Sequence, residues 1–167
     1  PMIVNDVIVI GAAHLPGTAP KSKTNQKGYV RAFDARTGKR MWIFHTIPWL
    51  GEFGNDTWEA ESWSNNGNAG VWGQMSIDEQ AGIVYVPVEL PTGDYYGGHR
   101  PGSHLFSESL VALDVKTGQK KWHYQLVHHG MWDFDIPCAP IVMDITVDGK
   151  PLGRISIKLF ADKILKT

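Results

Sequence analysis

The side chains best suited to take part in a reaction lie between His128 and Asp135 in this sequence. Two adjacent histidines, His128 and His129, are closely followed by the carboxylates Asp133 and Asp135. An imidazole or a carboxylate can accept a proton from a substrate when it lies within hydrogen-bond reach of that proton. The alternative for the two histidines is a polar pair on a loop without a direct catalytic role.

Other reactive residues have structural interpretations. Cys138 is the single cysteine, which excludes an internal disulfide, and its position among prolines favours packing over nucleophilic catalysis. Asp78 and Asp94 stand in turn-like segments, where an aspartate side chain bonds its own backbone, and both are interpreted as structural.

Composition excludes several classes of protein. The 167 residues are 43% hydrophobic, as expected of a globular protein with one or two domains. The net charge of -1 and the scattered Lys and Arg provide no basic stripe, so we expect no nucleic-acid partner. No apolar run approaches the ~20 residues that span a bilayer, and Pro1 to Asp6 lack the order of a signal peptide. We therefore expect a soluble chain, and its abrupt strand-like start is compatible with an internal piece of a longer protein.

The elements that would position these residues repeat along the chain. The segment 30–42 returns without a gap as 110–122, 80 positions later. In both copies an Asp and a Gly four residues apart lie between apolar runs, which indicates a hairpin, and a Trp follows on the returning strand. A weaker repeat pairs 7–11 with 83–87.

This repeat predicts an all-β fold, a partial β-propeller of about two to three blades. Each unit is a sheet that cannot bury its own faces, so units of this kind stack. A chance recurrence of two turns in another β-rich domain is the alternative, but the shared alternation and the shared Trp favour a propeller over a sandwich. We assign residues 1–150 to the propeller, with a third unit beginning at 139–150.

The segment 151–167 breaks the pattern and is predicted to be a divergent tail. Its apolar residues have helical spacing, which predicts a short amphipathic helix; they are Ile157, Phe160, Ala161, Ile164 and Leu165.

The repeat and the segment 125–135 resemble the quinoprotein alcohol and sugar dehydrogenases, whose eight-bladed propeller holds pyrroloquinoline quinone (PQQ) near its axis. The resemblance covers roughly residues 3 to 150 and is strongest to the membrane-associated glucose dehydrogenase branch. It implies that this chain carries too few blades to close the propeller. The further matching stretches are 44–48, 56–59, 71–73 and 91–98.

The resemblance implies three site residues. Trp72 matches the tryptophan whose indole lies flat against the quinone, although a core position is the alternative for any one of the seven tryptophans. Thr92 matches a position that contributes an oxygen to a Ca²⁺ ion beside the quinone; taken alone it would be a turn former. Asp133 matches the catalytic base, which is also a calcium-side carboxylate.

Three departures from the family pattern bear on this site. The loop 11–17 has no carboxylate to serve as a further metal ligand. Gly130 stands where many relatives have Asp, which removes a second acid and leaves Asp133 in place. No Lys or Arg turn toward a quinone oxygen is visible, and Lys158 and Lys163 lie in the divergent tail, so neither is assigned that role.

The implied activity is oxidation of an alcohol or sugar hydroxyl, with PQQ as hydride acceptor, Ca²⁺ polarising its carbonyl and Asp133 accepting the hydroxyl proton. The resemblance also implies a periplasmic or cell-envelope location, a membrane association only through other parts of the parent protein, and self-association through uncovered blade faces. Two alternatives remain: a non-enzymatic propeller that serves as a binding or assembly module, and an inactive truncated product.

Overall fold

The computed structural model describes residues 1–12 and 19–157 as two antiparallel four-stranded sheets followed by a hairpin. The first sheet contains β1 (Met2–Val4), β2 (Val7–Gly11), β3 (Tyr29–Asp34) and β4 (Arg40–His45). The second contains β5 (Ser76–Asp78), β6 (Ile83–Pro87), β7 (Ser109–Asp114) and β8 (Lys120–Gln125). The hairpin is formed by β9 (Ile141–Val147) and β10 (Lys150–Ile157), and two 3₁₀ helices, Asn55–Thr57 and Glu59–Asn65, lie between the sheets in sequence.

The two sheets are copies of one unit, which confirms the prediction of a partial propeller. Trp42 pairs with Ala32 in the first sheet, and Trp122 pairs with Ala112 in the second, with a register shift directly after the alanine in both. The weaker repeat is confirmed too, because its two members are the second strands of the two sheets, β2 and β6.

The repeated hairpin turns are built by the residues that predicted them. Oδ1 of Asp34 accepts hydrogen bonds from the Thr37 N–H at 2.7 Å and from its hydroxyl at 2.8 Å. Oδ1 of Asp114 accepts the same two bonds from Thr117, both at 3.0 Å. The glycine after each threonine has a φ of 71°, a conformation that only glycine adopts without cost.

Trp42 joins the first sheet to the second. Its indole N–H donates to the Val115 carbonyl oxygen at 2.8 Å, and the ring covers the turn of the second sheet. A Cβ at Gly118 would lie 2.5 Å from Trp42 Cδ2, so the turn glycine also makes room for the ring. Fully buried valines from both sheets share this core: Val9, Val30, Val84, Val86 and Val111.

The equivalent Trp122 has no such cover. It is 38% exposed where Trp42 is 8% exposed, and Tyr124 on the same strand is also exposed. The hairpin contacts the second sheet at Pro140, whose carbonyl accepts a hydrogen bond from the Ser76 hydroxyl at 2.5 Å, and at Val142, which packs on Tyr85. Apolar surface on the last complete blade thus remains open.

The segment after residue 150 differs from the prediction in its described part. Lys150–Ile157 is a strand that pairs with β9, so Ile157 ends a strand and does not begin a helix. The spacing of apolar residues is compatible with either element over so short a stretch, and pairing with β9 decides it. The rest of the predicted helix lies outside the described residues.

Across the described ranges, no helix has the length and apolar character needed to cross a membrane.

The unequal burial of the two equivalent tryptophans predicts unequal costs of removal. Trp42→Ala should lower the free energy of unfolding by about 3–5 kcal/mol, since it opens a cavity between the sheets and leaves the Val115 carbonyl without its donor. Trp122→Ala should cost about 1 kcal/mol. Urea unfolding followed by circular dichroism measures both values, and equal losses would contradict the assignment of Trp42 as the contact between blades.

The open blade faces predict self-association. Large apolar side chains on the described strands are exposed at Ile3, Met41, Tyr124, Ile141 and Met143. We expect the purified chain to form species larger than a monomer as its concentration rises, because uncovered apolar area favours association. Sedimentation velocity over a range of concentrations tests this, and a stable monomer with a sharp unfolding transition would count against it.

Candidate functional site

The three predicted site residues lie on loops at one end of the two sheets. Within each sheet the antiparallel order puts short turns at one end and the long connections at the other. Trp72 lies in the connection after β4, Thr92 in the connection after β6, and Asp133 in the connection after β8. The topology therefore collects three residues that are up to 61 positions apart in sequence.

Trp72 is placed by a buried segment, residues 66–71, that runs between two other loops. The Val71 N–H donates to the Ala12 carbonyl at 2.6 Å, and the Ala69 N–H donates to the Leu90 carbonyl at 3.1 Å. These bonds hold the segment from both sides. Trp72 follows it directly and is half exposed, so its backbone is held by these bonds while part of the residue is accessible.

Glu89 contacts Trp72 and was not identified as a candidate from the sequence. Its Oε1 accepts the Gly70 N–H at 2.9 Å, and its carboxylate also bonds the Trp72 side chain. Burial raises the pKa of Glu89 to about 7, and the charges of Asp135 and Asp94 add to this effect. The available signal was a single carboxylate inside the apolar run that ends β6.

Thr92 is fully buried, and its hydroxyl is already engaged. The oxygen accepts the Gly67 N–H at 3.0 Å and donates its proton to Asn66 Oδ1 at 3.3 Å. A hydroxyl that donates once and accepts once keeps one further lone pair. Thr92 therefore also links its own loop to the loop of Asn66 and Gly67, beyond the turn role expected of it. One lone pair of its hydroxyl remains for another partner.

Asp133 is exposed and has a φ of 54°, in the left-handed region. Its charge acts on Asp94: burial raises the pKa of Asp94, and repulsion by Asp133 raises it further. The loop that carries Thr92 and the loop that carries Asp133 therefore bring two carboxylates close to each other.

Arg100 connects the loop that carries Thr92 to the loop that carries Asp133. Its guanidinium is fully buried, and Nη2 donates to the carbonyl oxygens of Gly93 at 3.1 Å and Gly130 at 2.6 Å. Nη1 donates to His104 Nδ1 at 3.1 Å, while His104 Nε2 donates to the Arg100 carbonyl. Burial and the guanidinium charge lower the pKa of His104 to about 3, so its ring is neutral at physiological pH.

The remaining candidates have the following positions. His129 Nδ1 bonds the Gly102 carbonyl oxygen at 2.9 Å and its ring lies 4.8 Å from that of His104, whereas His128 is exposed. These contacts agree with the interpretation of the pair as loop residues. Asp78 accepts two backbone N–H bonds in its turn, as expected. Cys138 is exposed, so its interpretation as a packed residue is wrong.

Within the two described ranges, no three His, Cys, Asp or Glu side chains are arranged to hold an ion by themselves. Most of the loop 11–17, and both Lys158 and Lys163, lie outside the described residues.

A comparison with protein families matches residues 1–157 to the family described as "PQQ: Glucose/ethanol/alcohol dehydrogenase, beta-propeller domain". The match covers both complete sheets and the hairpin.

Individual proteins agree with the family match. The chain is 31% identical over 156 residues to a quinoprotein glucose dehydrogenase of Escherichia coli and 35% identical over 161 residues to the glycerol dehydrogenase large subunit of Gluconobacter oxydans. These alignments cover 93% of this chain but only 19% and 20% of the relatives. A solved quinohemoprotein alcohol dehydrogenase from Pseudomonas putida superposes with a TM-score of 0.75 at 29% identity, over 90% of this chain and 23% of that one.

The raised pKa of Glu89 predicts a pH dependence of stability. Its pKa is 4.5 in the unfolded chain and about 7 in the fold, so between these values the folded state binds more protons. The contribution of Glu89 to the free energy of unfolding should therefore fall as the pH rises from about 4.5 to about 7 and level off above. Glu108, whose pKa is raised similarly, contributes with the same sign, whereas the lowered pKa of His104 contributes a rise between about 3 and 6.5. Glu89→Gln should therefore make the change of the unfolding free energy with pH more positive across this range. Urea unfolding at intervals across this range tests it; an unchanged slope in the variant would refute the assignment.

Proposed function

Because the chain belongs to the PQQ-dependent glucose, ethanol and alcohol dehydrogenase β-propeller family, we propose that it forms one wall of a quinone site that oxidises an alcohol or sugar hydroxyl. The observation that carries this proposal is the meeting of Trp72, the Thr92 loop and Asp133 at one end of the sheets. A scaffold propeller has no chemical reason to place an open indole face and a cluster of carboxylates together there.

The quinone would lie against the exposed face of Trp72. A planar ligand stacks well on a large ring with little rotamer freedom, and Glu89 with Gly70 limits the movement of this ring. Bound quinone supplies the acceptor for the hydride that leaves the carbon bearing the substrate hydroxyl.

The donor set suits a hard cation such as Ca²⁺. Glu89, Asp94 and Asp133 offer carboxylate oxygens, and Thr92 offers the remaining lone pair of its hydroxyl. Burial and, second to it, repulsion by neighbouring acids raise the pKa of Glu89 and of Asp94, and a divalent cation beside them would favour their ionised forms. We propose Thr92 and Asp133 as its ligands, with the remaining ligands supplied by other parts of a complete propeller.

Asp133 is the proposed proton acceptor. Its carboxylate is exposed and can reach a substrate hydroxyl above the loops, whereas the carboxylates of Glu89 and Asp94 are more buried. The hydroxyl proton would pass to a carboxylate oxygen of Asp133 as the hydride leaves the carbon.

The chain spans about a fifth of the length of the two curated relatives described above. We therefore assign the complete reaction, its substrate and a periplasmic or envelope location to a full propeller that contains these blades. The isolated chain would hold only part of the quinone site.

Quinone binding by this chain should accordingly be weak and should depend on Trp72. We expect Trp72→Leu to abolish the quenching of tryptophan fluorescence by PQQ, with Ca²⁺ present or absent. Trp49→Leu is the matched control, because Trp49 is 52% exposed where Trp72 is 50% exposed. Equal effects of the two substitutions would contradict the proposed stacking, and tight calcium-dependent binding would show that the site in this chain is more complete than proposed.

The role of Asp133 is tested by Asp133→Asn in a complete propeller that carries these blades. Turnover should fall by at least ~10²-fold, as for the loss of a general base, with a far smaller change in quinone affinity. Asp148→Asn is the control, because Asp148 is also exposed and has a φ of 50°, so both substitutions place Asn in the left-handed region. Near-normal turnover in Asp133→Asn would reduce Asp133 to a turn residue, and matching losses of turnover and affinity would indicate a ligand role alone.

A further inference from the structure

Glu108 is a fully buried carboxylate with no side-chain hydrogen-bonding partner among the described residues. Its relative exposure is 0%, and its close neighbour is the backbone of Gly130, which favours the ionised carboxylate. A buried carboxylate is costly unless it is well paired, so this one needs a specific reason. The backbone around it is well fixed, because the Glu108 N–H donates to the Glu89 carbonyl and the Glu108 carbonyl accepts the Leu126 N–H.

The carboxylate of Glu108 fills the space beside Gly130. A Cβ added at Gly130 would lie 1.9 Å from Glu108 Oε2, 2.2 Å from Oε1 and 2.3 Å from Cδ. Gly130 is not among the residues with positive φ, so its backbone conformation would accept any side chain. What excludes a side chain at position 130 is therefore the carboxylate of Glu108.

The charge of Glu108 acts on Arg100 through space, with no direct ion pair between the two side chains. Burial lowers the pKa of Arg100, and the charge of Glu108 opposes this effect by favouring the guanidinium cation. Arg100 Nε also has no hydrogen-bond partner. A buried guanidinium is costly without a counter-charge, and this one holds the carbonyls of Gly93 and Gly130 together.

We propose that Glu108, from the space beside Gly130, supplies the counter-charge that keeps Arg100 in place as a clamp between the Thr92 loop and the Asp133 loop. Glu108 is thus a positioning residue: it contacts neither Thr92 nor Asp133 and acts on both through Arg100. That this clamp serves a quinone site rests on the proposed function. The clamp itself, as a contact between two loops, is independent of that function.

This proposal predicts that a carboxylate can serve Arg100 from position 108 or from position 130. Glu108→Ala leaves Arg100 without its counter-charge, and Gly130→Asp forces a second carboxylate into occupied space. The combination of Glu108→Ala with Gly130→Asp returns one carboxylate to the same place. Residues in one contact show strong non-additivity, so a double-mutant cycle measures the exchange directly.

The experiment is amide hydrogen exchange on the 167-residue chain at about pH 8, without quinone or metal, followed at loops 91–97 and 128–135. Each single substitution should speed exchange in both loops by at least ~10-fold, as expected when one partner of a buried charge pair is lost. The double variant should return to within about threefold of the parent, and if Glu108→Ala does not fold, recovery of folding in the double variant is the readout.

The requirement for charge is tested by Glu108→Gln, which keeps the volume and removes the charge. It should also speed exchange by at least ~10-fold. Glu61→Gln is the matched control, since Glu61 is exposed with a φ of 54° and Glu108 is buried with a φ of 46°. An unchanged exchange rate in Glu108→Gln, or additive effects on exchange in the double variant, would overturn the proposal. Neither result would bear on the proposed quinone site.

Discussion

The arrangement of the site end depends on one buried cation. Arg100 donates from a single nitrogen to carbonyl oxygens on two loops that are far apart in sequence. Those loops have no strand pairing with each other, so side chains hold them together: this guanidinium, oriented by the neutral His104, and His129, which bonds the Gly102 carbonyl oxygen. A neutral ring is required there, because a protonated His104 would place a second positive charge against the guanidinium.

The blades supply the frame on which this clamp works. Trp42 fixes the second sheet relative to the first through a hydrogen bond and through close contact with Gly118. Since the short turns lie at one end of a sheet, the long connections lie at the other, where they can differ without disturbing strand pairing. The loops of the proposed site are all at that end.

Acidic groups at the site oppose the stability of the fold. Burial and repulsion by neighbouring acids raise the pKa of Glu89, Asp94 and Glu108, so the ionised form of each costs more in the fold than in the unfolded chain. Clusters of perturbed acids are typical of functional sites, where such a cost is retained because a ligand or a reaction uses it. In this chain Glu108 has a protein partner in Arg100, whereas Glu89, Asp94 and Asp133 border the open end.

The blade repeat was readable from the sequence because its determinants are local: Asp34 and Thr37 bond within one turn, and the same pattern recurs at Asp114. Resemblance also located the loops of Trp72, Thr92 and Asp133. The partners of these loops were not readable, since Glu89, Arg100 and Glu108 acquire their roles from neighbours brought close only by folding. Periodicity likewise failed at Ile157, the one described residue of the predicted helix, where pairing with β9 makes a strand. Local hydrogen bonds are encoded by adjacent residues, but burial and charge at a site are properties of the assembled structure.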